Sequence, residues 1–302
     1  MTLKNSDINS NKEPLETPCL CEGGLRRKGQ FKNTFPNKPL ISVITVVLNS
    51  RKYIEDTIQN VTDQTYDNIE YIVIDGGSTD GTLDIIKKYD PLIDYWVSKP
   101  DNGIYFAMNL GIEVARGDWI NFINSADEYF DVHVIEQLLS KNLRDADIVY
   151  GNTEIKYQGF KTIKRAQKLE NTWKGMPFCH ASALCKTSLL KKNMFDTSYQ
   201  LSSDFNFFYN AFISKRKFLY YDTTVSSIPA SGLTDFNRRK ALRENWRCVS
   251  THSNNLKIHF YYTLQIIISC MKTVIKRILG IRLTTCIQKL KYDIKNGTCQ
   301  NK

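Results

Sequence analysis

No apolar run in this chain reaches the ~20 residues that a membrane-crossing helix needs. The stretch IHFYYTLQIIISCM (258–271), uncharged apart from a possible His259, stops short of that length. The opening MTLKNSDINSNKEP is polar and lacks the apolar core of a secretory signal, so a cytoplasmic location is expected. Metal-site spacing is missing as well. Of the eight cysteines, Cys19 and Cys21 are too few and too close for a zinc pattern, and Cys179 with His180 has no partner pair. Reduced, mostly buried thiols are expected instead of disulfides or a structural metal. There is no G-x-G-x-x-G dinucleotide fingerprint and no base-reading nucleic-acid module. Neither a heptad pattern nor an internal repeat offers an oligomeric state.

The charge that is present is unevenly placed. The formal net charge is +10, from 41 Lys+Arg against 31 Asp+Glu. Residues 236–302 hold 14 of those bases and 2 of those acids, a local balance of +12, which leaves −2 for the other 235 residues. A near-neutral globular body with a strongly basic tail follows. At 302 residues, one large α/β domain with a tail is as plausible as two domains.

Within the body, three acid-bearing loops follow short apolar runs. IEYIVID ends at Asp75, YWVSKPD at Asp101 and WINFINSAD at Asp127. In an α/β sheet, ligands bind in the crevice outside the carboxyl ends of the strands, so one nucleotide could touch all three acids. The continuous β-branched run ISVITVVLN (41–49) reads as a buried parallel strand, and YIEDTIQNVTDQ after it has helical spacing, which closes a βαβ unit into IEYIVID. DGGSTDGT (75–82) supplies turn glycines and Ser78, Thr79 or Asp80 as caps for the helix begun by LDIIKKY. A carboxylate such as Asp75 at a strand end suits recognition of a base N–H; alternatively it caps the turn. GIYFAMNLGIEVAR (103–116) reads as a helix and DWINFIN (118–124) as another buried strand. Asp127, just beyond it, is placed to offer a hard oxygen ligand to Mg²⁺ or Mn²⁺.

Four ordered segments, SVITVVLN, IVIDGGSTDGT, SKPDNGIYFAMNLGI and GDWINFINSADEYF, resemble glycosyltransferase family 2 over roughly residues 39–235. The resemblance implies a GT-A fold, Rossmann-like with a mostly parallel central sheet flanked by helices, and transfer of a sugar from a nucleotide donor with inversion. Residue by residue, it implies that Asp75 reads a uracil ring, that Asp101 lines the nucleotide pocket and that Thr45 and Asn49 hold the nucleoside at the end of the first strand. Asn124-Ser125-Ala126-Asp127 stands where the family carries its D-x-D-like metal motif, which would put Ser125 at the nucleotide and Asp127 on Mn²⁺ or Mg²⁺. The chain departs from the family at Ala126, Phe106 and Asn102, where acidic, Asp and basic residues respectively are usual, and Lys99 or a later arginine is left to face the diphosphate.

LSSDFNFFYNAFISKR (201–216) resembles the family's late motif, in which an acid at the start of a helix is the catalytic base; Asp204 matches it. Independently, Ser202 or Ser203 can cap this helix, and Phe205, Phe208, Tyr209 and Phe212 recur at core spacing, so Asp204 as a plain first-turn acid is the competing reading. His180 in MPFCHASALCKTSLL (176–190) resembles an acceptor-side histidine and would lie near acceptor or diphosphate, against a purely structural role.

These readings divide the chain into a polar lead-in (1–38), a catalytic domain (39–235, with nucleotide half 39–130 and acceptor half 131–235) and a basic helical extension (236–302). The extension is expected to lie on an anionic membrane surface, the alternative being that it packs on the body with its bases solvated. The resemblance implies a UDP-sugar donor, hexose or N-acetylhexosamine, and an undecaprenyl-pyrophosphate-linked saccharide acceptor in bacterial O-antigen or capsule biosynthesis, at the inner face of the cell membrane. Two rivals stand beside it: a nucleotidyltransferase, against which LNSRKY lacks a Gly-rich loop, and a catalytically silent nucleotide-sugar binder, suggested by Ala126 and Phe106.

Overall fold

A computed structural model of the chain describes residues 21–140, 143, 145–230, 232 and 237–273. Its strands are β1 (Cys21–Gly23), β2 (Ile41–Val47), β3 (Ile69–Asp75), β4 (Tyr95–Ser98), β5 (Trp119–Phe122), β6 (Glu128–Tyr129), β7 (Ile148–Tyr157), β8 (Phe160–Lys164), β9 (Ala183–Lys186) and β10 (Phe218–Pro229). They form one ten-stranded sheet in the order β1-β4-β3-β2-β5-β9-β7-β10-β6, with β8 paired to β7. The stretch β4-β3-β2-β5 is parallel throughout, and β7 and β10 are parallel to each other. β9 runs antiparallel between β5 and β7, marking the seam between the two halves of the sheet.

The continuous apolar run of β2 is buried along its whole length because both faces of the sheet are covered. Ile41, Val43 and Val47 face one core cluster with α1 (Ile54–Thr62) and α2 (Thr82–Lys88). Ile44 and Val46 face the other, against α3 (Ile104–Val114), α5 (Thr187–Lys192) and α6 (Ser203–Ile213). The short α4 (Val134–Leu139) closes the first face. β2 stops at Val47 instead of running to 49, since Asn49 turns into the left-handed region (φ 48°), which asparagine tolerates.

The lead-in shows no period in sequence, yet its described part is folded onto the sheet. β1 extends the edge antiparallel to β4, and Arg26 from the turn that follows ion-pairs with Glu70 of β3, whose side chain is 2% exposed. Lys32 pairs with the equally buried Asp94 at 3.0 Å. Three-residue strands and single turns are too short to leave a periodic signature, so position 38 does not divide lead-in from body in the structure.

The start of the tail is likewise integrated. The predicted basic helix is found at Arg238–Ser250. Its Leu242, Cys248 and Val249 pack with Phe205 and Tyr209 of α6 and with Ile258 and Tyr262 of a further helix over 256–273. Among the described residues no helix is long and apolar enough to cross a membrane. Residues 274–302 of the extension, and the membrane contact expected of them, lie outside the described residues.

Candidate active site

The carboxyl ends of the parallel strands carry the loops singled out in the sequence. After β3 the chain turns through Gly77 (φ 84°). Asp75 organises that turn: Oδ2 accepts from Ser98 Oγ at 2.5 Å and from the Ser78 amide at 3.0 Å, and Oδ1 accepts from Ser78 Oγ. At 1% exposure, the side chain is closed to a ligand in this conformation, which is the turn-capping alternative. Asn49 joins the same turn, accepting from the Thr79 amide at 2.9 Å while its own N–H donates to Ser78 Oγ at 2.7 Å. Asp80 acts as the cap for α2 from one residue outside it, accepting from Thr82 N at 3.0 Å. Asp101 comes back over the turn. A Cβ on Gly76 would meet its Oδ2 at 2.8 Å, so glycine there permits the approach of the β4 loop.

Thr45 is a correction. It is 0% exposed and donates to the Ile123 carbonyl at 2.6 Å, because the strand continues two residues past it and its side chain points into the sheet's covered face beside Tyr71. It offers a nucleoside nothing in this conformation. Ser125 is partly accessible and shares a 2.7 Å hydrogen bond with Ser50, tying the loop after β5 to the end of β2.

That loop bends at Ala126 with φ 80°, a left-handed conformation in which Cβ is strained. The bend carries Asp127 inward. Among the described residues no side chain hydrogen-bonds or ion-pairs with its carboxylate, and burial raises its pKa to about 6 against the lowering effects of nearby His180 and of the Asn124 backbone. An acid held this way has the hard oxygen chemistry that suits Mg²⁺ or Mn²⁺. No group of three or more His, Cys, Asp or Glu side chains among the described residues is set to hold a metal ion. Asp127 would thus be the one protein carboxylate here to hold a divalent cation, should one bind with the donor's phosphates.

The other half of the sheet contributes the second acid. His180 sits in a single turn just before β9, with Nδ1 3.4 Å from Asp204 Oδ2. Its Nε2 lies 3.0 Å from the Asn124 side-chain amide nitrogen, while Asn124 Oδ1 is buried without a partner. Turning that amide end for end gives Nε2–H an acceptor and Oδ1 a donor, as a charged imidazolium requires. Burial opposes that charge, but the Asp204 carboxylate, with Asp127 behind it, holds the His180 pKa above the ordinary histidine value.

Asp204 opens α6 and is fixed from three sides. Burial alone would raise its pKa; His180, the Tyr105 hydroxyl and the Phe205 amide outweigh that and lower it. Tyr105 donates to Oδ1 at 2.9 Å and Phe205 N to the same oxygen at 2.8 Å. The Tyr105 hydroxyl, itself pushed up first by burial and then by Asp204, stays a donor. Tyr105 was not marked in the sequence; its only signal was its place in the first turn of the helix after Gly103. The α6 N-cap, Ser202, does not cap with its side chain: its hydroxyl lies 3.3 Å from the Ala241 carbonyl of the tail, to which it donates.

The result is a continuous polar chain, Asn124–His180–Asp204–Tyr105, spanning from the Asp127 loop to the head of α6. At one end stands the Asp127 carboxylate, raised in pKa, and at the other the Asp204 carboxylate, lowered and held by three partners. Phe106, beside Tyr105, turns outward and is exposed, as is Lys99.

A profile described as Glycosyl transferase family 2 matches residues 42–218. TuaG of Bacillus subtilis (strain 168), a glycosyltransferase named for teichuronic acid biosynthesis, is 40% identical over 95 residues, which is 30% of this chain and 38% of TuaG. The chain thus matches well under half the length of this curated relative. Among solved structures, S. aureus TarS 1–349 in complex with UDP is 18% identical with a TM-score of 0.56, covering 72% of this chain and 67% of that one. The mannosyltransferase PcManGT of Pyrobaculum calidifontis, in complex with GDP-Man and Mn²⁺, is 17% identical with a TM-score of 0.58, covering 89% of this chain and 85% of that one. At such identities the likeness is one of fold.

Proposed function

The chain belongs to glycosyl transferase family 2 and has the GT-A fold, and from that premise we propose that it is an inverting glycosyltransferase. In this reading it moves a hexose or N-acetylhexosamine from a UDP-sugar to an undecaprenyl-pyrophosphate-linked saccharide of a bacterial surface polysaccharide. The observation that carries the proposal is the pairing of two differently tuned acids through one imidazole. Asp127 is raised and unpaired, whereas Asp204 is lowered and fully hydrogen-bonded. Two carboxylates pushed apart by their surroundings mark separate roles.

In this reading Asp204 takes the proton of the acceptor hydroxyl as that oxygen attacks the anomeric carbon from the face opposite the leaving diphosphate. Tyr105, His180 and the Phe205 amide keep the carboxylate ionised and aimed. Asp127 would hold a divalent cation, Mn²⁺ or Mg²⁺, which would supply charge neutralisation at the leaving group. Asp101 and Ser125 line the nucleotide, and Asn49 supports the turn beneath it. The contact of Asp75 with a uracil requires Ser78 or Ser98 to release one oxygen. The UDP bound in the TarS structure and the GDP-Man with Mn²⁺ in PcManGT support a nucleotide-sugar donor; the name of TuaG supports a cell-surface polymer. The basic extension supports work at the inner membrane face.

The test is release of UDP from a panel of UDP-sugars with Mn²⁺, with and without a synthetic N-acetylhexosamine-pyrophosphate-lipid. Release with one donor that rises on adding acceptor is the expected result. Binding of UDP without release across the panel would favour the silent binder instead, a reading that Ala126 keeps in view.

A further inference from the structure

The helix over 256–273 is apolar on two opposite sides. One side is committed: Ile258 and Tyr262 are buried against the Arg238–Ser250 helix and α6, and the Tyr262 and Tyr261 hydroxyls donate to the Trp173 and Lys174 carbonyls at 2.9 and 3.3 Å. The other side is bare. Leu256 is 83% exposed, Phe260 71%, Leu264 41%, Ile267 50% and Met271 58%. At 100° per residue these five fall within one arc of about 80°, centred roughly opposite Ile258 and Tyr262. A helix apolar on both sides is stable when both are covered, and a contiguous exposed stripe of this kind marks a docking surface.

The charge around the stripe selects the occupant. Lys257 lies at one edge of it, Lys272 further round the same flank, and both are exposed. Arg239 of the neighbouring helix reaches Cys270 of this one at 3.9 Å, which adds a base beside it. The enclosing segment 236–302 carries 14 Lys+Arg against 2 Asp+Glu. Two copies of such a segment repel each other, whereas an anionic surface attracts it. Over the described residues 256–273 the helix is not long and apolar enough to cross a bilayer, but it has the make-up of one that lies in the interface plane.

We propose that Leu256, Phe260, Leu264, Ile267 and Met271 form the membrane-docking face of this protein and seat the catalytic body on anionic lipid. This deepens the lipid-linked reading above and rests on it. Because the opposite side of the same helix packs on α6 through Tyr262 and the Arg238–Ser250 helix, the body is held rigidly to that surface, unlike a domain on a loose tether.

The test is co-sedimentation of the full chain with phosphatidylcholine vesicles, with and without phosphatidylglycerol, for wild type and for Phe260→Ser/Ile267→Ser. Both side chains are already in water, so the variant keeps its fold, and an unchanged melting temperature checks this. Wild type is expected to bind the anionic vesicles and to lose binding as salt is raised. The double variant is expected to bind at least about tenfold more weakly. Equal binding by variant and wild type would overturn the proposal. So would concentration-dependent dimers that the variant abolishes while vesicle binding persists, since the occupant would then be a second copy. Stabilisation by added UDP, measured on the same samples, tests the nucleotide-sugar reading separately, so either can fail alone.

Discussion

Replacing Tyr105 by Phe removes one oxygen and little else, and the consequence can be worked from the geometry. The ring stays in place against Phe195, with centroids 5.6 Å apart. What is lost is the 2.9 Å hydrogen bond to Asp204 Oδ1. A hydrogen bond to a charged partner is worth about 1.5–3 kcal/mol. Spent wholly on orienting the base, that corresponds to about 10–150-fold in rate. An opposing effect exists, because the bond also lowers the Asp204 pKa, and its loss makes the carboxylate a stronger base. Basicity returns only a fraction of the free energy, since proton transfer is partial in the transition state. Orientation therefore wins, at the low end of the range: kcat falls by about tenfold.

The assay is UDP release at saturating donor, followed across pH. The KM for donor is expected to stay constant, since Tyr105 touches no proposed nucleotide residue, and the acid limb of the kcat/KM profile is expected to move to higher pH as the Asp204 pKa rises. A purely capping Asp204 predicts otherwise: lower thermal stability, with kcat and the acid limb both unchanged. That pattern would refute the assignment of Asp204 as base and Tyr105 as its clamp.

Three further outcomes follow from the buried charges. Asp127, with a pKa of about 6 in the fold against an ordinary value of 3.8, costs stability as pH rises between those values. Asp127→Asn should therefore stabilise the metal-free protein at pH 7.5 by about 2 kcal/mol, after allowance for partial exposure, with no gain at pH 4; Mn²⁺ should raise the melting temperature of wild type alone. His180 is raised and Asp204 lowered, so the stability from their pair is fully present between about pH 4 and 6.5, lost on the alkaline side as His180 deprotonates and on the acid side as Asp204 protonates. Melting curves of His180→Asn across pH should lack the alkaline decline, and persistence of that decline would assign it elsewhere. Arg26→Ala leaves Glu70 buried and unpaired and should cost about 3 kcal/mol in urea denaturation, against under 1 kcal/mol for the exposed Arg27→Ala.

Where the fold was legible in the sequence, the signal was local. A continuous β-branched run buried on both faces gave β2, helical spacing gave α1, α3 and α6, and strand ends carrying acids gave the crevice. The misread positions depended on neighbours distant in sequence. Thr45 looked like the end of a strand but lies inside one, with its hydroxyl taken by Ile123. On α6 the buried set includes Phe207, which the 3.6-residue pattern did not single out, while Phe212 is only partly buried. That helix is covered on two sides: Phe207 and Phe208 face the sheet, and Phe205 and Tyr209 face the tail. Ala126 shows in the sequence only as a departure from the family's acidic pair; its positive φ, which strains any Cβ, does not show there at all. Tyr105 carried no mark at all, because the partner that gives it meaning lies 99 residues away.

The family match and the physical unit do not coincide, and the difference bears on how the site is held. The matched span, 42–218, contains every acid proposed for chemistry. Several groups that steady the scaffold around those acids come from outside it. Arg26 and Lys32 neutralise Glu70 and Asp94 beneath the nucleotide half. Beyond its C-terminal limit, Glu244 accepts from the Gln200 and Leu201 amides at 3.2 and 2.9 Å, bracing the loop that delivers Asp204, and the Ala241 carbonyl takes the Ser202 hydroxyl. Cutting at 39 and at 235 would leave two buried acids without cations and the base-bearing helix without its support. The tail that presents a lipid-facing stripe is thus the same element that steadies the base. Stripe variants separate the two roles where deletion of 236–302 confounds them.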